Sequence, residues 1–310
     1  MTNTSIEGFF NEESVWFLTI SSIENVSAIV INIFIILVFT SSRDLKSSSS
    51  STMFASLAFV DMCTSMCFLF KVVIQPFITP NDNLFGELFC RLMYTTFLMW
   101  AFISSSWFHI ILITLDRFVA VIYPLSYKMF TECRKLHYVL LVSAYLLGFA
   151  SIGISILAAT HDGKSDCKFL LPFWSSFKKY FYLISYTIYV IFTTLAISFM
   201  YSLVVGKLLQ ASYNKAKKIS KSQRKATMLC IILVAEFVIC SYPISVYFIG
   251  IMLQLVLEKD WGFSFNSAFF SITIQMVNAS SVINPVLYIA YNSSFQKAVH
   301  HLLVRFQDFE

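Results

Sequence analysis

This sequence has little charge. Lys, Arg, Asp and Glu make up 13% of its 310 residues, where an average soluble domain carries about 25%. Hydrophobic residues make up 57% and mean hydropathy is +0.73, which excludes an ordinary water-soluble fold. Basic residues are missing from the first 23 positions, which carry Glu7, Glu12 and Glu13 instead. Without a basic n-region there is no signature of a cleavable signal peptide, and the first apolar span is expected to act as the insertion signal. No basic stripe with interleaved aromatics accompanies the net charge of +5, so no nucleic-acid partner is expected. No Cys/His cluster or nucleophile–base pair stands out, which argues against an intramembrane enzyme. No internal repeat is found, which argues against a transporter built from inverted repeats.

What the sequence does have is long apolar runs. Seven extend from Ser22 to Ser42, Ser51 to Gln75, Arg91 to Leu115, Tyr138 to Thr160, Tyr180 to Gly206, Ala226 to Leu257 and Phe263 to Tyr291. Crossing the hydrocarbon takes about 20 mostly apolar residues. In lipid the backbone must satisfy its own hydrogen bonds, so each run reads as a helix. A barrel would show alternating segments of about ten residues, which continuous runs exclude. Of the Lys and Arg residues, fifteen fall on one side of these spans, including Arg43, Lys128, Arg134 and the segment from Lys207 to Lys225, and six fall on the other. Positive charge stays cytoplasmic, so the N-terminus is expected outside and the C-terminus inside, with membrane lipids as surroundings.

The expected architecture is all-α: an extracellular N-terminus over residues 1–21, a seven-transmembrane helix bundle over 22–291, and a short amphipathic eighth helix on the cytoplasmic surface with a tail over 292–310. The surface helix follows from Phe295, Val299, Leu302, Leu303 and Phe306 on one face, with Lys297, His300, His301 and Arg305 around the other. The serine run from Ser47 to Ser51 reads as a linker.

Cys63, Cys67, Cys230 and Cys240 fall within spans and Cys133 in a cytoplasmic connection. Cys90 and Cys167 alone lie outside, in an oxidising compartment. A disulfide is predicted there, tying the outer end of the third span to the loop before the fifth. Asn3-Thr4-Ser5 is a glycosylation sequon in the N-terminus. Asn25-Val26-Ser27 lies close to the bilayer, and the sequons at Asn278 and Asn292 are out of reach by topology.

Ionisable groups inside a span cost at least about 2.5–3.5 kcal/mol each and need partners or a wet cavity. Asp61, midway along the second span, has Asn32, Ser106, Ser281 and Asn284 at matching depth. One carboxylate ringed by hydroxyls and amides can hold a small cation such as sodium; the same set can also close as a hydrogen-bonded plug. Lys71, about 15 Å further out, can snorkel or face a ligand. Glu236 has no obvious partner. His109 reads as a packed polar residue. Pro243 and Pro285 are expected to kink the sixth and seventh spans.

These pieces together resemble the rhodopsin-like (class A) G-protein-coupled receptors over nearly the whole chain. The third span ends in Leu115-Asp116-Arg117-Phe118-Val119-Ala120-Val121-Ile122-Tyr123-Pro124-Leu125, like the family's D-R-Y segment and following loop. The seventh ends in Asn284-Pro285-Val286-Leu287-Tyr288, the N-P-x-x-Y pattern, with Phe295 opening the surface helix. Leu57-Ala58-Phe59-Val60-Asp61 matches the second-helix motif, Phe85 to Cys90 the approach to the bridged cysteine, and Phe237 to Pro243 the sixth-helix stretch.

The resemblance implies that an extracellular ligand shifts the chain between resting and active states, that the sixth helix swings outward, and that a heterotrimeric G protein enters the opened cavity. It implies Arg117 as the switch, paired with Asp116 at rest and met by Tyr201 and Tyr288 when active. Asp61, Ser106, Ser281 and Asn284 would form a sodium pocket favouring rest. Departures are also present. Phe118 lacks the tyrosine hydroxyl, Ser241 stands where a tryptophan is expected, Tyr145 is near another expected tryptophan, and Thr193 replaces a proline. Cys90 and Arg117 are spaced more widely than usual, and Gln223 stands where an acidic partner for Arg117 often sits, which predicts raised basal signalling. These departures motivate an alternative: a receptor-fold protein that does not couple and acts as a partner or decoy.

Phe97 and Met99 occupy the positions where amine receptors carry a carboxylate, so an amine ligand is not expected. No lysine lies between Lys259 and Lys297, so retinal is excluded; no cofactor is expected other than a bound sodium ion. The outer halves carry Lys71, Met99, Phe102, Ile103, Tyr247, Gln275 and Asn278. Gln275 and Asn278 share a helix face, and this set would suit an apolar pocket with a few polar anchors, for a peptide or a lipid-like small molecule.

Overall fold

The computed structural model describes residues 15–42, 45, 49–81, 83–127, 133–153, 156, 159–161, 167–169, 176–213, 221–264 and 267–307. Seven helices in it are long and apolar enough to cross a membrane. They run Val15–Ser41, Ser49–Leu69, Phe97–Ile122, Arg134–Ile152, Ser176–Tyr213, Lys221–Leu257 and Ala268–Tyr291, followed by a shorter helix Ser293–Gln307. The seven expected spans are all present.

The ends differ from expectation where hydropathy and hydrogen bonding part company. The first helix starts at Val15 rather than near Ser22, so residues 15–21, expected in the extracellular terminus, are helical. Phe17 and Ser21 are buried there, because both meet the seventh span: Gln275 Nε2 donates to the Phe17 carbonyl at 3.2 Å and to Ser21 Oγ at 2.5 Å. Asn25 lies inside this helix, buried, with its amide on the Ser21 carbonyl at 2.8 Å, so its sequon cannot carry a glycan. The fourth span ends at Ile152 rather than Thr160, which sits in a strand: β1 (Ala159–His161) pairs antiparallel with β2 (Cys167–Phe169). A short apolar run does not by itself distinguish helix from strand. The seventh span starts at Ala268, where the Ser267 hydroxyl caps the helix by accepting from the Phe270 amide at 3.1 Å.

The third span also differs. The expected start, Arg91, lies in a π-helical turn, Cys90–Tyr94, that follows a short helix Leu84–Phe89. Thr96 then adopts a left-handed conformation (φ 57°) before the long helix begins at Phe97. The Thr95 hydroxyl holds the break, donating to the Arg91 carbonyl at 2.5 Å and accepting from the Phe97 amide at 3.2 Å. A widened turn and a left-handed residue take up chain without equivalent rise, which accommodates the wide spacing of Cys90 and Arg117.

The third helix packs against the second, fourth, fifth and sixth, while the seventh touches the first, second and sixth. Polarity is inverted relative to a soluble protein: Val30, Leu37, Phe192 and Ile239 are exposed, whereas Asn32, Asp61, Ser105, His109 and Asn284 are buried. That is the arrangement lipid imposes. Pro285 has no N–H to give the Ser281 carbonyl one turn back. Asn32 of the first span supplies the missing donor, its Nδ2 lying 2.9 Å from that carbonyl. Between the second, third and fourth spans, the Ser56 hydroxyl lies 2.9 Å from His109 Nε2 and 2.8 Å from the Tyr145 hydroxyl. His109 is thus a packed polar residue, and Tyr145, near the place where a tryptophan is expected, does the joining. A side chain at Gly148 would collide with Ser105, so glycine permits the close approach of the third and fourth helices.

At the end of the seventh span, Asn292 Oδ1 accepts from the amides of Ser294 and Phe295, both at 3.1 Å, and starts the surface helix. Phe295 is fully buried against Phe39 and Phe34, while Lys297, His300 and His301 are exposed. Asn3 and the side chains of Leu303, Arg305 and Phe306 lie outside the described residues.

Candidate functional site

Two clusters of polar side chains lie along one line of the bundle. In the first, Asp61 is 3% exposed. Its Oδ1 accepts from the Ser106 hydroxyl at 3.2 Å and its Oδ2 from Asn284 Nδ2 at 3.0 Å. Asp61, Ser106, Ser280 and Ser281 border a cavity of about 20 Å³, with Thr64 and Ser241 also on its wall. Ile103, Trp107, Phe237 and Val277 form its apolar side. A guest of water size needs roughly 10–15 Å³, so one water or one small ion fits. Asn284 Oδ1 is buried and has no hydrogen-bond partner. A carboxylate, hydroxyls and a spare amide oxygen are hard oxygen donors of the kind that bind hard cations, so these residues fit sodium. The structure places Ser106 and Asn284 on Asp61 by hydrogen bonds and Ser281 on the wall of the same cavity. Asn32, expected beside Asp61, reaches the Ser281 backbone instead.

Trp107 was not singled out from the sequence. It stacks on Tyr189 (5.5 Å between ring centroids), meets Phe237 edge-on (5.4 Å) and borders the Asp61 cavity. Ser241, where a tryptophan was expected, lines the same cavity, so an indole is present there but comes from the third helix. A large ring in one span opposite a small residue in another was the available signal.

The second cluster lies at the far end of the third helix. Arg117 Nε donates to Asp116 Oδ2 at 2.9 Å, and the guanidinium also reaches the same carboxylate and the Ser50 hydroxyl through its terminal nitrogen. That nitrogen donates to the Tyr127 hydroxyl at 3.1 Å. Ser50 and Tyr127 in turn donate to the two oxygens of Asp116, at 2.9 and 3.2 Å. Burial pushes the Tyr127 phenol up from its ordinary pKa, so it stays a neutral hydroxyl, donating to the carboxylate and accepting from the guanidinium. Ser47 and Ser48 lie outside the described residues, but the rest of the serine run, Ser49 to Ser51, is helix rather than linker. The second helix begins at Ser49, Ser50 joins the ion pair and Ser51 is buried. A hydroxyl in a low-complexity run looked like solvent-facing filler because its partner is distant in sequence. Tyr201 and Tyr288 make no hydrogen bond to Arg117 in this conformation. Their hydroxyls are buried without hydrogen bonds, and Tyr201 lies beside Thr114, whose proton goes to the Ile110 carbonyl at 2.7 Å. The Gln223 side chain lies outside the described residues.

At the opposite end, Cys90 and Cys167 form the expected disulfide. Glu87 fixes the hairpin a second time: one oxygen pairs with Arg91 at 2.6 Å and the other accepts from the His161 amide at 2.8 Å. The residues expected to line an outer pocket divide by their contacts. Tyr247 is buried, and its hydroxyl is shared among the Ser264 backbone (2.7 Å to the carbonyl, 3.0 Å to the amide) and the Ser267 hydroxyl (2.6 Å). Gln275 gives its amide nitrogen to the first helix, while its Oε1 is buried without a hydrogen-bond partner. Phe102 packs edge-on against Phe149 of the fourth helix at 5.2 Å, Ile103 faces the Asp61 cavity, and Met99 belongs to the core. Lys71 sits half-buried in a π-helical turn that ends the second span. Asn278 is buried, with its amide nitrogen unpartnered. Four spans instead meet through Trp100, Tyr186, Phe248 and Phe270, with Phe248 ring centroids 5.1, 6.3 and 5.9 Å from the others in turn. Nothing in the sequence sets these rings apart, because aromatics make up 17% of the chain and are common throughout it.

The model of the 7 transmembrane receptor (rhodopsin family) matches residues 31–288, and the chain belongs to that family. Its members are receptors, not enzymes, and the chain is a multi-pass plasma membrane protein. It is 25% identical to somatostatin receptor type 1 of Rattus norvegicus, over 74% of this chain and 58% of that one. It is 26% identical to the neuropeptide S receptor of Homo sapiens, over 84% of this chain and 72% of that one. It is 24% identical to the allatostatin-A receptor of Bombyx mori, over 88% and 75%. The chain thus spans somewhat over half the length of the somatostatin receptor.

Proposed function

We propose that this chain is a G-protein-coupled receptor for an extracellular peptide, with its N-terminus outside and its C-terminus inside. The observation that carries the reading is the closed cluster of Asp116, Arg117, Ser50 and Tyr127. It sits on the side where the basic residues gather, at the opposite end of the same helix from the disulfide-held hairpin. The peptide class rests on the names of the relatives. The hairpin, pinned by Cys90–Cys167 and Glu87, would give such a ligand a firm surface at the mouth of the bundle.

At rest, Arg117 is held by Asp116 and the two hydroxyls. An agonist that binds the active state better shifts the population towards it. The sixth helix then moves outward, Arg117 leaves its cluster, and the unpartnered hydroxyls of Tyr201 and Tyr288 are available to receive it while a heterotrimeric G protein enters. Sodium held by Asp61, Ser106, Ser281 and Asn284 would favour rest by neutralising Asp61 within the closed bundle. With Gln223 offering no charge to Arg117, ligand-free signalling above background is expected. The test is ligand-independent G-protein activation by the native protein and by Arg117→Ala at matched surface levels. A basal signal abolished by the substitution supports coupling. Silence with every G protein, in the presence of peptide-rich tissue extracts as well, favours the non-coupling partner instead.

A further inference from the structure

We propose that the short helix Leu84–Phe89, in the connection between the second and third spans, is a membrane anchor. Its outward side of Leu84, Phe85 and Leu88 sits where headgroups meet acyl chains in the outer leaflet (the leaflet follows from the proposed orientation). These three residues are neighbours on one side of the helix and are 76%, 72% and 46% exposed. No charged residue interrupts that side. The anchor would exist whether or not the chain couples to a G protein.

The other side of the helix is held on the protein. Gly86 and Phe89 are buried, and a side chain at Gly86 would collide with the Asn81 carbonyl. Asn83 caps the helix by accepting from the Gly86 amide at 2.9 Å. Glu87 bonds to Arg91 and to the His161 amide, and Cys90, next in the chain, is in the disulfide. Alone, so short a helix would bind a membrane weakly, because ordering it costs entropy. Here the fold has already ordered it, so the exposed side is a preformed contact surface.

Depth identifies what that surface meets. The second helix enters the membrane near Ser50, which bonds to Asp116 at the inner end of the third. Phe70 stands about 30 Å further along, close to the thickness of the hydrocarbon. Its ring lies 6.4 Å from that of Phe89, so the short helix is at the level where hydrocarbon gives way to headgroups. Val73, Ile74 and Phe77, which follow Phe70, are exposed, as the lipid-facing residues of the spans are. The apolar surface of the second span thus runs on past its end, and Leu84, Phe85 and Leu88 extend it. An exposed apolar patch outside the spans marks an interaction site, and a helix lying in the interface with its apolar side towards the acyl chains is the arrangement that covers one. Glu87 and Arg91 neutralise one another, so no unpaired charge is brought to the lipid. A peptide would need polar anchors to fix its orientation, and this side offers none.

The test uses the full chain in phosphatidylcholine nanodiscs. Phe85→Trp reports on the apolar side, and Lys259→Trp, in the exposed connection after the sixth helix, is the water-facing reference. Emission is compared between plain lipid and lipid brominated on its acyl chains, with the native signal subtracted. The added emission of Phe85→Trp is expected to lie to the blue of that from Lys259→Trp and to lose most of its intensity in brominated lipid. The loss should be greater with bromine near the carbonyl end of the chain than near its methyl end, while Lys259→Trp keeps its intensity. Emission from Phe85→Trp that is quenched no more than that of Lys259→Trp overturns the proposal and leaves the surface to a peptide or another protein. Stronger quenching from the methyl end overturns the interfacial placement. If Phe85→Trp does not fold, Leu88→Trp reports on the same side by the same criteria.

Discussion

At the Arg117 end of the bundle and at the disulfide end, the same kinds of side chain do different work. Ser50 of the second helix and Tyr127, beyond the end of the third, converge on the adjacent Asp116 and Arg117 of the third helix, so that each hydrogen bond is also a constraint on Arg117. At the other end, Tyr247, Gln275, Glu87 and Gln254 bond mostly to backbone. Gln254 alone accepts from the amides of Trp261 and Phe263 and donates to the Phe263 carbonyl. Convergent side-chain bonds make an arrangement that can switch as a unit, whereas side-chain-to-backbone bonds fix loops and helix ends in place. The difference marks one end as a switch and the other as a frame.

The largest expected effect breaks the switch. Asp116→Asn keeps the shape but removes the charge facing a buried guanidinium, and losing one partner of a buried pair costs about 3–5 kcal/mol. That cost falls on the resting state, where the pair exists. Ligand-free nucleotide exchange on a co-reconstituted G protein should therefore rise by at least about tenfold. Exchange that stays at the native level would mean that the cluster does not hold Arg117 back.

Next in size is a test of the shared scaffold between the ends. Asn32→Leu leaves the Ser281 carbonyl buried with neither a proline N–H nor an amide to pair with, at a cost of about 1–3 kcal/mol. The unfolding temperature should fall by several degrees. The sodium response should weaken as well, because Ser281 borders the Asp61 cavity. An unchanged melting curve would show that water satisfies the carbonyl equally well.

How much of this was legible in the sequence follows the same division. The seven spans were readable because lipid permits little but helices. Asp61, Ser106, Ser281 and Asn284 were readable because buried polar residues at one depth must find one another. The break at Thr96 was not, because a π turn and a left-handed threonine leave no mark on hydropathy. Nor were Ser50 and Tyr127, whose roles depend on which loop folds beneath Arg117. Tyr247 and Gln275 stand out as pocket candidates because a polar group in the outer half suggests a ligand, and the sequence does not show that Tyr247 bonds to Ser264 and Ser267 or that the Gln275 amide nitrogen bonds to Phe17 and Ser21.

The smallest effects come from one chemical change made at both ends. Tyr127→Phe and Tyr247→Phe each delete a hydroxyl that both donates and accepts, and each should cost about 1 kcal/mol. If the ends differ as argued, the cost appears in different readings. Tyr127→Phe frees Arg117 from one of its three partners, so ligand-free exchange should rise about two- to fivefold with the melting temperature nearly unmoved. Tyr247→Phe loosens the Ser264 to Ser267 connection, so the melting temperature should drop by a few degrees while basal exchange and the sodium response stay at native values. The paired measurement is sharper than either alone, because the two variants share the atom lost and differ only in what that atom held. Should Tyr247→Phe alter basal exchange as strongly as Tyr127→Phe, the disulfide end would be coupled to the switch through the sixth helix, and its polar residues would be part of signal transmission rather than frame.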